Sequence, residues 1–307
     1  MEYRELQYLM TLAETRNMTR AAEKLFISQS ALSHYLRCVE EELGVRLFDR
    51  STSPMTLTPA GRCYIDSARA ILLENDRLKK ELRDITRHMS GKLVIGTSRD
   101  RASYMIPRIL PEFTERYPGI ETQVFTASGQ KLFEALREGR VDMVMLPIIG
   151  QVEEKGVCAE PIYTEELVLA ARAGTIPESD RTAGGRAVIP ESLDQKPFYL
   201  LFQEHVARDF CDRFFRKEKI HPEIRMEFSS NITCLCMAAT GMGLAIVPYL
   251  TTQLVKSGQE IELFSLGRER QIWEIEIFYR KGAYLGEPEL SFMEIAKRRF
   301  SHESLRW

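Results

Sequence analysis

The chain has 307 residues, with 42 lysines and arginines, 44 aspartates and glutamates, and 44% hydrophobic residues. These proportions are typical of a globular protein of about two domains, and they exclude a disordered polyelectrolyte or a strongly basic coat for nucleic acid. The sequence shows no apolar run of the ~18 residues that a membrane span needs, no signal-peptide pattern, and six cysteines without paired spacing. We therefore expect a cytoplasmic protein with reduced thiols and no membrane partner.

Residues 1–57 contain three helical patterns and no strand-like run. Their apolar residues recur at helical spacing in three groups: Leu6, Leu9, Met10 and Ala13; Ala21, Ala22, Leu25 and Phe26; and Leu32, Leu36, Val39 and Leu43. Thr19 and Ser28 are the expected N-caps of the second and third helices, because a hydroxyl can accept a hydrogen bond from the first turn. Gly44 suits the end of the third helix.

The third helix carries a polar face opposite its apolar stripe. Five hydrogen-bonding side chains share this face: Gln29, Ser30, Ser33, His34 and Arg37. Glutamine can bond adenine and arginine can bond guanine in a major groove, and two helices joined by a tight turn form a helix-turn-helix. Residues 1–60 hold seven basic and eight acidic side chains, so a solvated face on a generic three-helix bundle remains the alternative.

A long helix is predicted for residues 58–88, with Thr58 as its N-cap and Pro59 at its first position. Its apolar seam follows a strict four-three alternation: Tyr64, Ala68, Ile71, Asn75, Leu78, Leu82 and Ile85. A seam this narrow favours pairing with a second helix, in which Asn75 could fix the register. The expected result is a dimer that reads an inverted repeat, with its two heads roughly 34 Å apart. Packing of the helix against its own effector domain is the alternative.

From Gly91 onward, strand patterns alternate with amphipathic helices. The predicted strands are Lys92–Gly96, Ile120–Thr126, Val141–Leu146, Leu167–Ala171, Tyr199–Phe202, Glu223–Phe228, Leu244–Val247 and Trp273–Tyr279. The predicted helices are Tyr104–Tyr117, Gln130–Glu138, Val206–Lys217, Asn231–Thr240 and Pro288–Phe300. The alternation of the first strands and helices predicts a parallel sheet with helices on both faces.

Four blocks in the N-terminal region resemble the signature of LysR-type transcriptional regulators. In order, they are Thr19–Leu25 (TRAAEKL), Ser28–Ser33 (SQSALS), Glu41–Arg50 (EELGVRLFDR) and Leu57–Gly61 (LTPAG). The rest of the chain also matches the plan of this family. The resemblance implies an N-terminal all-α winged helix-turn-helix, a long linker helix, and an α/β two-subdomain effector-binding domain of periplasmic-binding-protein type.

The resemblance also implies the domain bounds and the DNA-binding residues. The DNA-binding domain would span residues 1–57, the linker 58–88 and the effector domain 91–307, with subdomain I at 91–162 and 269–307 and subdomain II at 163–268. The wing would be Arg46–Thr56. The candidate DNA-binding residues are Thr19, Arg20, Ser28, Gln29, Ser30, Ser33, His34, Arg37, Arg50 and Thr52. His34 stands where the family often has arginine, so the base preference there is open.

Small ligands in such α/β sheets bind outside the carboxyl ends of the strands. The candidate effector-binding residues lie in the loops expected there: Thr97, Ser98, Arg99, Asp100, Ala127, Ser128, Gly129, Pro147, Phe202, Gln203, Ser229, Ser230 and Asn231. Ser229–Asn231 opens a helix, whose free N–H groups favour an anion. Arg99 would support an anion and Asp100 would oppose it. Arg101, Arg108, Arg116 and His205 are expected at the solvated surface.

The expected function is a sequence-specific DNA-binding transcriptional regulator that responds to a small polar or anionic effector. The expected partners are double-stranded DNA, the effector, further copies of the chain in a dimer of dimers, and RNA polymerase. Motifs for phosphate binding, nucleophilic catalysis or metal hydrolysis are missing, so neither catalysis nor a metal or cofactor is expected. A thiol-redox sensor of the same fold and, less well supported, a small-molecule-binding enzyme are the alternatives. A thiol switch would involve Cys211, Cys234 or Cys236, although the last two diverge on one helix.

Overall fold

The computed structural model describes residues 3–87, 89–148, 156–255 and 260–301. Its contacts divide the chain into an N-terminal unit, residues 1–86, and a C-terminal unit, residues 87–307. His88, the last residue of the predicted linker, and residues 302–307 of the predicted effector domain lie outside the described part. Among the helices in the described ranges, none combines the length and apolar character needed to cross a membrane.

The N-terminal unit is a helical bundle with a small two-stranded wing. Its elements are α1 (Tyr3–Thr15), α2 (Met18–Leu25), α3 (Gln29–Leu43), β1 (Phe48–Asp49), β2 (Thr56–Leu57) and α4 (Pro59–Thr86). Strands β1 and β2 pair antiparallel and form the wing, which extends to Leu57, one residue beyond the predicted bound. Leu9, Leu12, Leu32, Leu36 and Phe48 are buried together at the centre of the bundle.

The helix ends confirm two predicted caps and correct a third. The Ser28 hydroxyl accepts from the Ala31 N–H at 3.1 Å, and Gly44 ends α3 in the left-handed conformation. Helix α2 is capped by Asn17, whose Oδ1 accepts from the Arg20 N–H at 3.0 Å, so the prediction of Thr19 was wrong. The helix therefore starts earlier than predicted, and the Thr19 side chain is exposed.

Two residues predicted to lie in the bundle interior are exposed. Leu43 is 44% exposed because α3 ends there, beyond the last turn that the bundle covers. Phe26 is 96% exposed because it follows α2 as its C-cap and turns into the left-handed region, with φ 55°. The helical period assigned to Phe26 continued past the end of α2, and the period assigned to Leu43 reached the last residue of α3.

Gly61 lies in the first turn of α4, against the backbone of Leu47 just before β1. A Cβ at this position would come within 1.9 Å of the Leu47 carbonyl oxygen. A helical Gly→Ala change normally stabilises by about 1 kcal/mol, but here we expect Gly61→Ala to destabilise the chain by about 1–3 kcal/mol through overpacking. Denaturant unfolding would measure this. Gly129→Ala is the control, because its nearest contact would be an ordinary 3.6 Å. Equal stability of the two variants would contradict the prediction.

The C-terminal unit contains ten strands and six α-helices in its described part. The strands are β3 (Gly91–Thr97), β4 (Ile120–Thr126), β5 (Met143–Ile148), β6 (Val157–Arg172), β7 (Ala187–Val188), β8 (Pro197–Leu201), β9 (Glu223–Phe228), β10 (Ala245–Pro248), β11 (Ile261–Leu266) and β12 (Ile272–Arg280). The helices are α5 (Arg99–Arg116), α6 (Gly129–Arg137), α7 (Val206–Glu218), α8 (Asn231–Ala239), α9 (Tyr249–Thr252) and α10 (Glu287–Phe300).

Strand β6 joins the two sheet regions of this unit. The first region has the order β4-β3-β5-β12-β6; β3 runs parallel to β4 and β5, as predicted, whereas β12 is antiparallel to β5 and β6. Beyond Glu166, β6 leaves β12 and pairs with β10 and β11. Strand β8 pairs in parallel with β9. This division of β6 agrees with the predicted two-subdomain α/β architecture.

The sequence patterns missed part of this topology. Strand β6 is 16 residues long, yet only its last, continuously apolar part was predicted, because Glu160 and Pro161 interrupt the earlier part. Pairing with β12 keeps that earlier part extended. Helix α5 begins at Arg99, five residues before the predicted start at Tyr104, after Ser98 in an extended N-cap conformation. Strands β7 and β11 were not predicted.

Candidate DNA-reading helix and effector cleft

Helix α3 presents its polar face to solvent, as the sequence predicted. Gln29, Ser30, His34 and Arg37 are exposed and Ser33 is half-buried, whereas Leu32 and Leu36 on the opposite side are fully buried. The buried stripe fixes the rotation of the helix, so the polar side chains remain accessible to a ligand. This arrangement is that of a helix-turn-helix recognition helix.

Hydrogen bonds order the side chains on this face. The Arg37 Nη2 donates to His34 Nδ1 at 3.1 Å, and a guanidinium can only donate. His34 Nδ1 is therefore the acceptor, and Nε2 lies 3.6 Å from the Cys38 Sγ. Arg37 also makes an exposed ion pair of 3.7 Å with Glu41. Base or phosphate contacts by Arg37 would compete with this pair.

Glu40 faces the wing. One of its carboxylate oxygens accepts from the backbone N–H groups of Leu47 and Phe48 at 2.8 and 3.2 Å. The other oxygen pairs with Arg50 at 3.2 Å. These bonds anchor the wing to α3 and hold one end of the Arg50 guanidinium. Four further candidates for DNA contact are exposed: Thr19, Arg20, Ser28 and Thr52.

In the C-terminal unit, a cavity of about 810 Å³ opens at the carboxyl ends of strands from both sheet regions. Nine of the thirteen candidate effector-binding residues line it: Ser98, Arg99, Asp100, Ala127, Ser128, Gly129, Pro147, Ser229 and Asn231. We call this cavity the effector cleft. The rule that ligands bind beyond the carboxyl ends of strands therefore located much of its wall.

The other four candidates do not line the cleft. Thr97 is fully buried, and its hydroxyl donates to the Met145 carbonyl at 2.9 Å. The Ser230 hydroxyl donates to Asp100 at 2.9 Å. Phe202 and Gln203 are exposed on the loop after β8, and neither is among the lining residues.

The sequence reasoning missed other parts of the cleft wall, including Arg101, Tyr104, His205, Thr251 and Trp273. Arg101 was expected in solvent but is 5% exposed, and His205 was also expected at the surface. The error with Arg101 follows from the late predicted start of α5. A helix that begins after Ser98 buries Asp100, Arg101 and Tyr104 together.

Asp100 lies at the N-terminus of α8, where the sequence predicted an anionic ligand. Its carboxylate accepts from the Ser230 hydroxyl at 2.9 Å and from the Asn231 N–H at 2.5 Å. The N-terminus of α8 thus already binds a negative charge, supplied by the first turn of α5. In this structure the Asp100 carboxylate takes the position where the sequence predicted an anionic ligand, and a ligand at Ser229–Asn231 stays a prediction. The contact joins the two sides of the cleft.

Beside the cleft lies a buried network centred on Glu165. Its carboxylate accepts from the Leu250 N–H at 3.0 Å, from Trp273 Nε1 at 3.1 Å and from the Tyr104 hydroxyl at 3.4 Å. The Arg101 Nη2 lies 3.9 Å away, and its guanidinium stacks over Trp273 at 5.5 Å. Burial raises the pKa of Glu165, while Arg101 and the hydrogen bonds oppose that rise.

Three polar atoms on residues lining the cleft lack a hydrogen-bond partner among the described residues. They are Arg101 Nε, Asn231 Oδ1 and Thr251 Oγ1. Arg101 is 5% exposed and Thr251 is fully buried, so bulk solvent does not readily satisfy them. Buried polar groups in native proteins are almost always bonded. The three residues line one cavity, although the atoms themselves have almost no accessible surface.

None of the described cysteines is among the residues that line the cleft. Cys211 and Cys234 are both buried. Burial raises the pKa of the Cys211 thiol well above its ordinary value and that of Cys234 to about 12. Burial therefore disfavours the thiolate form of both groups. Within the described ranges, no cluster of three or more histidine, cysteine or acidic side chains is placed to hold a metal ion.

Comparison with known protein families decides the identity. Residues 3–62 match the model of the bacterial regulatory helix-turn-helix protein, lysR family, and residues 86–301 match the LysR substrate binding domain. The chain belongs to the LysR family of transcriptional regulators. This result confirms the resemblance found in the sequence, and with it the assignment as a DNA-binding regulator that has an effector-binding domain.

Relatives within the LysR family cover nearly the whole chain. The DNA-binding transcriptional dual regulator OxyR of Escherichia coli is 28% identical over 93% of this chain and 91% of its own length. The uncharacterised regulator YybE of Bacillus subtilis is 28% identical over 81% of this chain and 83% of its own length. Both similarities extend over most of the chain.

Solved structures of LysR-type regulators show the same fold. Full-length OxyR from Pseudomonas aeruginosa, solved as a single-site variant, superposes with a TM-score of 0.73 at 23% identity, covering 98% of this chain and 95% of the other. CbnR in complex with its target DNA gives a TM-score of 0.64 at 23% identity, with coverages of 97% and 100%. The predicted fold class is confirmed.

Proposed function

We propose that this regulator reads DNA through α3 and is controlled by a small carboxylate bound in the effector cleft. The observation that supports the ligand is the set of unpartnered polar atoms on Arg101, Asn231 and Thr251. The Arg101 Nε–H requires an acceptor, which a carboxylate supplies through a charge-assisted bond. Asn231 Oδ1 requires a donor, and Thr251 can do either. The ligand therefore combines a carboxylate with a hydroxyl or amine.

Control would operate through closure of the cleft. Arg101 belongs to α5, whereas Asn231 and Thr251 belong to α8 and α9 on the other sheet region, so one ligand would connect both sides. The Asp100 bonds to Ser230 and Asn231 also connect them. The ligand changes the equilibrium only by the difference in its affinity for the two cleft geometries. Strands β6 and β12 would transmit the change.

A second copy of the chain would cover α4. Four residues of its apolar seam are strongly exposed: Ile71, Leu78, Leu82 and Ile85, at 46%, 52%, 49% and 77%. Packing in a parallel or antiparallel helix pair would bury them. The resulting dimer, or dimer of dimers, would place two α3 helices on an inverted repeat in the cytoplasm. Bound there, it would act on RNA polymerase.

A thermal-shift screen of small hydroxy and amino acids tests the proposal. A ligand present at 100 times its Kd stabilises the folded state by about 2.7 kcal/mol, which corresponds to roughly 5–10 °C in Tm for a unit of this size. Thr251→Val keeps the shape of the side chain and removes the hydroxyl. We expect it to weaken the ligand found by about 3- to 10-fold, as the loss of one hydrogen bond.

Thr252→Val is the matched control. Its hydroxyl donates to the Tyr249 carbonyl at 2.7 Å, and the residue is not part of the cleft lining. Ligand affinity should therefore match the wild type in this variant. A ligand that binds the wild type, Thr251→Val and Thr252→Val equally would show that the cleft is not its site. A screen without any stabilising carboxylate would contradict the ligand class.

Thiol sensing is the alternative that the relatives suggest. Several of them are described as hydrogen peroxide-inducible genes activators, including that of Dickeya chrysanthemi, which is 29% identical over 81% of this chain. The burial of Cys211 and Cys234 and the lack of a cysteine among the described lining residues disfavour this mechanism, although Cys236 is exposed. Loss of DNA binding after peroxide treatment, prevented by Cys211→Ser or Cys234→Ser, would favour it.

A further inference from the structure

Phe26 is an exposed aromatic residue at the turn between α2 and α3. Its side chain is 96% exposed, and its backbone lies in the left-handed region at φ 55° and ψ 40°. Glycine and asparagine occupy this region more easily than a residue with a bulky side chain. Folding of the bundle therefore requires neither the ring of Phe26 nor its Cβ, which suggests that the ring serves contact with another molecule.

The position of Phe26 beside the start of α3 points to DNA as that molecule. Phe26 precedes by two residues the cap Ser28, and Ser28, Gln29 and Ser30 are all exposed. In helix-turn-helix proteins the first residues of the second helix lie closest to the base edges. The ring therefore stands at the end of α3 that would enter the major groove.

We propose that Phe26 contacts the C5-methyl group of a thymine in the operator. The ring offers no hydrogen bond, and the thymine methyl is the apolar group that base pairs present in the major groove. The polar face of α3 reads hydrogen-bonding patterns, so Phe26 would add an apolar contact at one edge of the half-site. The inference rests on the proposed use of α3 as the DNA-reading helix.

An apolar protein surface fits this position less well. The neighbouring Leu25 and Ile27 are half-buried against the bundle core. The residues beyond them, Glu23, Lys24 and Ser28, are polar and exposed. The exposed Leu43 and Val45 lie beyond the opposite end of α3, a distance of about 20 Å for a helix of this length. Phe26 is thus a single exposed apolar side chain among polar ones, which suits an isolated methyl group rather than an extended apolar interface.

The test uses a duplex selected from a random library by the full-length wild-type protein. Anisotropy titrations then compare wild type with Phe26→Asn, which suits the left-handed backbone and removes the ring. We expect binding to weaken at least about fivefold, with Tm unchanged or higher. Replacing one particular thymine of each half-site by deoxyuridine, which lacks the methyl group, should weaken the wild type similarly and change Phe26→Asn less than about twofold.

Val45→Ser is the matched control, since Val45 is 47% exposed at the far end of α3; it should bind as the wild type does. Wild-type affinity of Phe26→Asn would overturn the inference. A loss in this variant without any effect of deoxyuridine would overturn the thymine contact. If alanine variants of Gln29 and Arg37 also bind normally, the proposed role of α3 fails as well; if they bind weakly, only the role of Phe26 fails.

Discussion

Alanine at Gln29 or at Arg37 is expected to weaken binding of the selected duplex by about 10- to 100-fold in each case. This range corresponds to the roughly 1–3 kcal/mol that one good side-chain contact to a base contributes. Both side chains are exposed, so the free energy of unfolding should change by less than about 0.5 kcal/mol. Anisotropy titrations and denaturant unfolding of the same preparations separate the two effects.

The salt dependence of binding distinguishes a contact to a base from a contact to a phosphate. If Arg37 contacts a base, Arg37→Ala should leave the slope of affinity against salt nearly unchanged; a phosphate contact would reduce that slope by about one. Arg213→Ala is the control, because Arg213 makes a comparably exposed ion pair of 2.8 Å with Asp209 in the C-terminal unit. Full affinity in both α3 variants would mean that DNA is read by another surface.

Glu165→Ala is expected to destabilise the C-terminal unit by about 3–5 kcal/mol. The substitution leaves the buried guanidinium of Arg101 without its carboxylate, and breaking a buried ion pair on one side costs about this much. It also removes the acceptor for the Leu250 N–H and Trp273 Nε1. For a unit of this size the corresponding fall in Tm is roughly 6–20 °C, which calorimetry would measure.

A double substitution separates the charge from the packing. Arg101→Met with Glu165→Leu removes both charges and keeps most of the volume, so it should be clearly more stable than Glu165→Leu or Arg101→Met alone. Strictly additive losses would show that the 3.9 Å approach of Arg101 to Glu165 contributes no coupling. In that event the unpartnered Arg101 Nε would remain the main argument for a ligand at this end of the cleft.

Local patterns were sufficient where one segment decides its own structure. Strands β4 and β9 have the predicted bounds, and α3 has the predicted cap, end and polar face, because a hydroxyl cap, a left-handed glycine and an apolar stripe act within one helix. Two helix starts were misplaced. Asn17 makes the capping bond of α2 that was assigned to Thr19. Helix α5 starts at Arg99, although the Ser98 hydroxyl before it makes no capping bond.

The sequence alone was sufficient to predict four features. These are the family, the α/β class of the C-terminal unit, the polar face of α3 and much of the cleft wall. Spacing and alternation suffice for these features because they follow from contacts that repeat along one element. Long-range packing was needed to show that Asp100 fills the N-terminus of α8, that Arg101 is buried beside Glu165, and that the first half of β6 is a strand. Each of these depends on partners far away in the chain, as with Asp100 and Asn231, which are 131 residues apart. Charged and polar side chains leave the surface only when such a distant partner offsets the cost of removing them from water.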